Sequence, residues 1–191
     1  MAAHGEARSG MAKGRKGERE GRRVGSKRTS KKRSPQVAAL PVRLDGSGCL
    51  RVLLVTSRDT GRWVVPKGWP MDRLDPWEAA AVEALEEAGA EGHIATDPLG
   101  TFDYGKRLEG GKTLPCEVTL YPMRVTKLRR SWKEDGERRR RWFRPRAAAK
   151  RVDEPGLSGI LRRLDRGDKG TGKAGNKAGN KGSNKALRVI A

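Results

Sequence analysis

Glu83, Glu86 and Glu87 place three carboxylates within five residues of the chain. On a helix advancing about 100° per residue, with Glu83 at zero, Glu86 falls near −60° and Glu87 near +40°, so all three share an arc of about 100°. Like charges at this spacing repel, and residues 74–91 contain no Lys or Arg to offset them. A hard divalent cation would offset them. Magnesium takes carboxylate oxygens and keeps several waters, which leaves positions for a substrate phosphate; manganese is the alternative ion. A solvated acidic helix face is the competing reading of the same residues. Ala81, Leu85 and Ala88 fall on the opposite side, about 140° to 200° round, and are expected to pack on a sheet while the carboxylates face outward. Ala79 and Ala80 flank the acidic arc, where small side chains leave room for a bulky ligand.

The elements that must hold this helix can be read around it. Asp75-Pro76-Trp77-Glu78 marks its start, with Asp as N-cap, Pro at the first helical position and Glu at N3. The helix runs to Ala88, and Gly89 suits the left-handed residue that follows a helix. Before it, residues 37–44 and Leu50–Thr56 read as two strands joined by the turn Asp45-Gly46-Ser47-Gly48, a hairpin. A loop at 58–61 and a short strand at 63–65 follow. Pro66-Lys67-Gly68-Trp69-Pro70 then breaks regular structure, and its Pro-Lys-Gly portion can bring backbone close to phosphate oxygens. After the helix, residues 99–104, 116–125 and 139–143 look strand-like. Residues 145–152 and 154–164 look helical, the second with Leu157, Ile160, Leu161 and Leu164 on one face. The expected class is α/β (α+β), a mixed sheet flanked by helices.

The formal charge of +20 over 191 residues is concentrated at the ends. Residues 1–36 hold twelve Lys and Arg against three Glu, and residues 166–191 hold seven against one Asp. The first segment has almost no large apolar side chains and cannot offset its chain entropy by burial, so it is expected to be a disordered basic tail. The second carries Lys-Ala-Gly-Asn at 173–176 and again at 177–180, a period too short for a solenoid unit, and is expected to be a low-complexity basic tail. The domain is expected to span residues 37–165. Cys49 and Cys116 lie in no disulfide or metal spacing, which fits a reducing cytoplasm. No apolar run approaches the roughly 20 residues of a transmembrane segment, and no apolar stretch follows the N-terminal charges as in a secretory signal. Arg-richness is shared with organelle transit peptides, but Glu6, Glu18 and Glu20 count against one.

The stretch from Gly68 to Ala90 resembles the Nudix box: a glycine, five residues, Glu, seven residues, then Arg-Glu-x-x-Glu-Glu-x-Gly and an apolar residue. Gly68, Glu83, Glu86, Glu87 and Gly89 fall in register without a gap. Residues 52–55, Ser57-Arg58, 62–66 and Trp142-Phe143 look like the diphosphoinositol polyphosphate phosphohydrolase branch of the Nudix hydrolases and its bacterial relatives. The resemblance covers residues 37–165. It implies an α/β/α sandwich and metal-dependent cleavage of a phosphoanhydride bond in a highly phosphorylated small molecule. It implies that Glu83, Glu87 and the backbone carbonyl of Lys67 hold the metal and that Glu86 is the general base. It also implies substrate contacts from Thr56, Ser57, Arg58, Arg62, Lys67 and Gly68. Two positions depart from the box: Leu74 stands where it has its first Glu, and Val82 where it has an Arg that steadies the carboxylates. Losing that Arg removes five hydrogen-bond donors from beside the acidic cluster.

Two other functions are compatible with the sequence. The basic tails are of the kind that binds RNA or another polyanion without sequence preference. The departures at Val82 and Leu74 suit a Nudix fold that binds a phosphorylated ligand without turning it over. For a further carboxylate, Glu117, Glu134, Asp135 and Glu137 remain equal candidates.

Overall fold

The computed structural model describes residues 33–168, and the tail readings for residues 1–32 and 169–191 lie outside them. Among the described residues one mixed sheet runs through the domain. Its strands are β1 (Ser34–Leu44), β2 (Leu50–Thr56), β3 (Trp63–Val64), β4 (Lys67–Gly68), β5 (Ala90–Ile94), β6 (Gly100–Arg107), β7 (Thr113–Leu128) and β8 (Arg140–Phe143). The helices are α1 (Pro76–Ala88), α2 (Pro145–Ala149) and α3 (Pro155–Asp168). The main path of the sheet is β3-β2-β1-β7-β5, with β4 on β1, β6 on β7 and β8 on β2. β1 and β7 are parallel and central, from Ser34 opposite Cys116 to Val42 opposite Arg124. The other pairings are antiparallel.

Both faces of the sheet are covered, so its inner strands are apolar at consecutive positions. Side chains alternate between faces along a strand. Ala38, Leu40 and Val42 of β1, with Val52 and Leu54 of β2, pack with Leu157, Ile160 and Leu161 of α3. Val37 and Ala39, with Leu53 and Val55, pack instead with Ala79, Ala80, Ala84 and Ala88 of α1. This is the sandwich the resemblance implied. The 45–48 turn is held by Asp45, whose carboxylate accepts from the amides of Ser47 and Cys49 at 3.0 Å each and from Arg51 Nε at 2.7 Å.

The structure corrects the reading of the helix faces. α1 buries Ala79, Ala80, Ala84 and Ala88 completely, while Ala81 and Leu85 are only partly covered. The flanking alanines make the packing surface and do not clear space for a ligand. A face of methyl groups lets α1 sit close on β1. Pro66–Pro70 is also more regular than expected, because Lys67 and Gly68 pair with Ala38 and Val37. β5 was not anticipated, and β7 is far longer than the 116–125 stretch.

Candidate active site

The helix and the loop that carry the site are both pinned to β1. The loop is fixed by the β4 pairing and by the Ala39 amide, which donates to the Pro66 carbonyl at 3.1 Å. α1 begins as expected: Asp75 lies before Pro76, and its amide donates to Glu78 Oε2 at 2.9 Å. It ends at Gly89, whose φ is 60° and whose amide donates to the Leu85 carbonyl at 2.9 Å. α1 has no basic residue in its last turn. A distant segment supplies the missing donors: Arg140 Nη1 donates to the Ala88 carbonyl at 2.6 Å and Trp132 Nε1 to the Glu87 carbonyl at 3.2 Å. The Arg140 guanidinium lies 3.8 Å from the centre of the Trp132 ring.

Each box carboxylate has a distinct environment. Glu83 lies on Gly68 so closely that a Cβ at residue 68 would stand 1.8 Å from Glu83 Oε1. Burial, then the charges of Glu86 and Glu134, push its carboxyl above the usual range. Glu86 is half-buried and takes a 2.7 Å ion pair from Lys133 Nζ. Glu87 is only 6% exposed. Its Oε2 accepts the Lys67 amide at 3.2 Å, and its Oε1 accepts Arg138 Nη2 at 2.5 Å. Burial pushes Glu87 up to about 7 against the pull of Arg138 and Lys67. The acidic arc is therefore partly offset by Lys133 and Arg138, which come from a segment some fifty residues later.

Among the described residues, no three acidic, His or Cys side chains already converge as a closed metal cage. The donor set nonetheless suits a hard divalent cation of the kind held by one or two carboxylates and otherwise by water and phosphate. The absent side chain at Gly68 leaves its place to Glu83, whose carboxylate is thereby kept against the loop. Of the four further acidic candidates, Glu134 stands nearest this set: it ion-pairs with Arg138 and acts electrostatically on Glu83. Glu117 instead lies 3.7 Å from Arg33.

The other anticipated residues are arranged as follows. Thr56 is buried, and its hydroxyl accepts the Arg139 amide at 2.9 Å, so it faces the fold and not a ligand. Ser57 Oγ lies 2.7 Å from Thr60 Oγ1. Arg58 is exposed, 3.5 Å from both Glu134 and Glu137. Arg62 Nη1 donates to Glu154 Oε1 at 2.7 Å, and its guanidinium lies over the Tyr104 ring. The Lys67 ammonium also sits on Tyr104, 4.5 Å from the ring centre, and burial lowers its pKa. A cleft of about 380 Å³ is lined by Ser57, Thr60, Arg62, Tyr104, Arg107 and Glu154. The carboxylates of α1 do not line it. Lys67 joins the two regions, its amide on Glu87 and its ammonium on Tyr104.

Arg138, Lys133, Tyr104 and Glu154 were missed in the sequence. Arg138 heads a run of four arginines that gives no hint which member turns inward. The Glu134-to-Arg138 spacing of four was a usable signal.

Comparison with known proteins matches the geometry. The chain is 32% identical over 114 residues to Nudix hydrolase 13, mitochondrial, of Arabidopsis thaliana, covering 55% of this chain and 54% of that one. It is 34% identical over 102 residues to human diphosphoinositol polyphosphate phosphohydrolase 3-beta, covering 52% and 58%. The chain thus spans about half the length of these relatives. Among solved structures, the Caenorhabditis elegans Ap4A hydrolase aligns at a TM-score of 0.53 and 22% identity, over 71% of this chain and 98% of that one, which shows the shared fold. No described helix is long and apolar enough to cross a membrane. The family model described as the NUDIX domain matches residues 32–164, and the chain belongs to that family.

Proposed function

We propose that the domain at residues 37–165 is a metal-dependent pyrophosphohydrolase acting on a highly phosphorylated small molecule, such as a diphosphoinositol polyphosphate or a dinucleoside polyphosphate. The contact of Glu83 with Gly68, in the register of the family's box, is the observation that carries this reading. The relatives named for diphosphoinositol polyphosphate and Ap4A hydrolysis support the substrate class.

In this reading Glu83, Glu87 and the Lys67 backbone carbonyl hold a divalent ion, magnesium or manganese. The ion, when bound, neutralises phosphate charge and polarises phosphorus. Glu86 takes the proton of the attacking water. Its present partner Lys133 is exposed, so the pair is weak and readily displaced. Ser57, Arg58, Arg62, Lys67 and Gly68 contact the phosphates, and Thr56 supports them from below. Arg suits this task because its planar fork meets phosphate oxygens two at a time. Lys67 is desolvated, which strengthens its attraction for an incoming anion.

The test is hydrolysis with magnesium over a panel of diphosphoinositol, dinucleoside polyphosphate and nucleotide substrates. Glu86→Gln should lower kcat by about 10² or more. Equal inactivity of wild type and Glu86→Gln on every substrate, with ligand still bound, would sink the enzyme reading. We assign the tail segments beyond β1 and α3, residues 1–32 and 169–191, to non-specific binding of RNA or other polyanions, and the free Cys49 and Cys116 to a reducing cytoplasm. Removing the tails should abolish salt-dependent RNA binding; retained affinity would refute that assignment.

A further inference from the structure

We propose that Arg138 is the positioning residue for the metal-holding carboxylate of Glu87, taking over the work of the arginine absent at position 82. This rests on the reading of α1 as the metal-holding helix. The Arg138 side chain is 6% exposed, while most other arginines among the described residues reach solvent. Its three guanidinium nitrogens are all engaged. Nη2 donates to Glu87 Oε1 at 2.5 Å, Nη1 to the Thr56 carbonyl at 2.9 Å, and Nε to Glu134.

These three acceptors lie on different elements, the end of β2, helix α1 and the 130s loop, so the guanidinium has one orientation. Its backbone is fixed as well. Thr56 donates its amide to the Arg139 carbonyl at 2.9 Å and accepts the Arg139 amide on its hydroxyl. The planar fork therefore approaches Glu87 from a rigid base. Glu87 is held between that fork and the Lys67 amide, one donor on each oxygen. This matches what an outer-shell partner does for a metal ligand: it fixes the orientation of the carboxylate before the ion arrives.

Val82 cannot do this. It is apolar and half-buried, and it lies about 140° round the helix from Glu87. The donor has moved from one turn of the same helix to a residue fifty-one positions beyond Glu87. The departure that suggested a dead site is thereby compensated. The network also extends to Arg58, because Glu134, the partner of Arg138, lies 3.5 Å from it.

The test compares full-length wild type with Arg138→Met, Arg138→Lys and Arg141→Met, an exposed member of the same arginine run. Four quantities are read: Mn²⁺ affinity by electron paramagnetic resonance, thermal unfolding without metal, kcat and KM. Arg138→Met should weaken Mn²⁺ binding by about 10- to 100-fold and lower kcat with little change in KM. Arg138→Lys, which keeps the charge and loses the fork, should recover only part of the affinity. Arg141→Met should match wild type. If folded Arg138→Met binds Mn²⁺ as wild type does and loses only thermal stability, Arg138 is structural and the proposal falls. If Arg138→Met does not fold, Arg138→Lys decides: weakened Mn²⁺ affinity supports the role and unchanged affinity overturns it. Mn²⁺ binding separates this from the activity, because a wild type inactive on every substrate fails the hydrolase reading while leaving the effect of Arg138 measurable.

Discussion

Glu83 Oε1 lies 1.8 Å from the point where residue 68 would carry a Cβ, so the glycine and the carboxylate occupy one place between them. The atom in the way is the end of a flexible side chain and not backbone. Gly68→Ala should therefore fold with a melting temperature close to wild type, while Glu83 is pushed off the loop. A displacement of this size costs about 10² in rate when it moves a reacting or metal-holding group. Kinetics and thermal unfolding on the same preparation check this. A Gly68→Ala enzyme with wild-type kcat would mean that Glu83 does not work from this position.

The pair between Lys133 and Glu86 should behave differently from the buried pair beside it. Both partners are reached by water, with Lys133 64% exposed. Exposed pairs contribute little to stability, so Lys133→Ala should leave the unfolding midpoint close to wild type and change kcat by less than about threefold. Denaturant titration and steady-state kinetics test both expectations. A large loss of kcat would show that Lys133, and not Glu86 alone, handles the proton.

Metal dependence should itself depend on pH. Burial lifts the Glu87 carboxyl from an ordinary 4.5 to about 7, and burial with Glu86 lifts Glu83 in the same direction. The metal-free folded state thus binds a proton at Glu87 more tightly than the unfolded chain does. That contribution to stability is full below about 4.5 and is lost as the pH rises through about 7. A metal ion requires the deprotonated carboxylate. Magnesium should therefore raise the melting temperature little near pH 5 and progressively more toward pH 8 or so. A magnesium-induced shift that is flat with pH would contradict the placement of Glu87 among the ligands.

The features legible in the sequence were those written in adjacent residues. The cap Asp75-Pro76-x-Glu78, the terminator Gly89, the 45–48 turn and the spacing of the three glutamates each depend on residues within a turn or two. The hidden features depend on chain segments far apart. Nothing in residues 76–88 says that a face of alanines will seat on β1, because Ala81 and Ala84 are the same residue type and only the sheet distinguishes them. Nothing in the run 138–141 marks Arg138 as the inward member. That follows from β8 pairing with β2, which ranks Arg140 opposite Val55 and leaves Arg138 beyond the end of the strand, beside Thr56 and Glu87. Residues 74–91 hold no cation to balance the acidic arc, and the balancing charges come instead from Lys133 and Arg138.

Arg58 and Arg62 separate substrate binding from stability. Arg58 is 56% exposed and its carboxylate contacts are long, so its removal should change stability by less than about 1 kcal/mol. Arg62 is 25% exposed, and its partner Glu154 is only 8% exposed, with Oε2 buried and lacking a hydrogen bond. Removing one member of a buried pair leaves an uncompensated charge at about 3–5 kcal/mol, and the partial exposure of Arg62 reduces this to about 2–4 kcal/mol. If both guanidinium groups serve the substrate phosphates, Arg58→Met and Arg62→Met should each raise KM by about tenfold or more, since a charge-assisted hydrogen bond contributes about 1.5–3 kcal/mol. The ambiguity at Arg62 is resolved by the double variant Arg62→Met with Glu154→Leu, which removes both charges and should recover most of the lost stability. Its KM should stay raised. A KM that returns to the wild-type value with the stability would mean that Arg62 only holds α3 against the sheet, and that the phosphates are met by Arg58 and Lys67 alone.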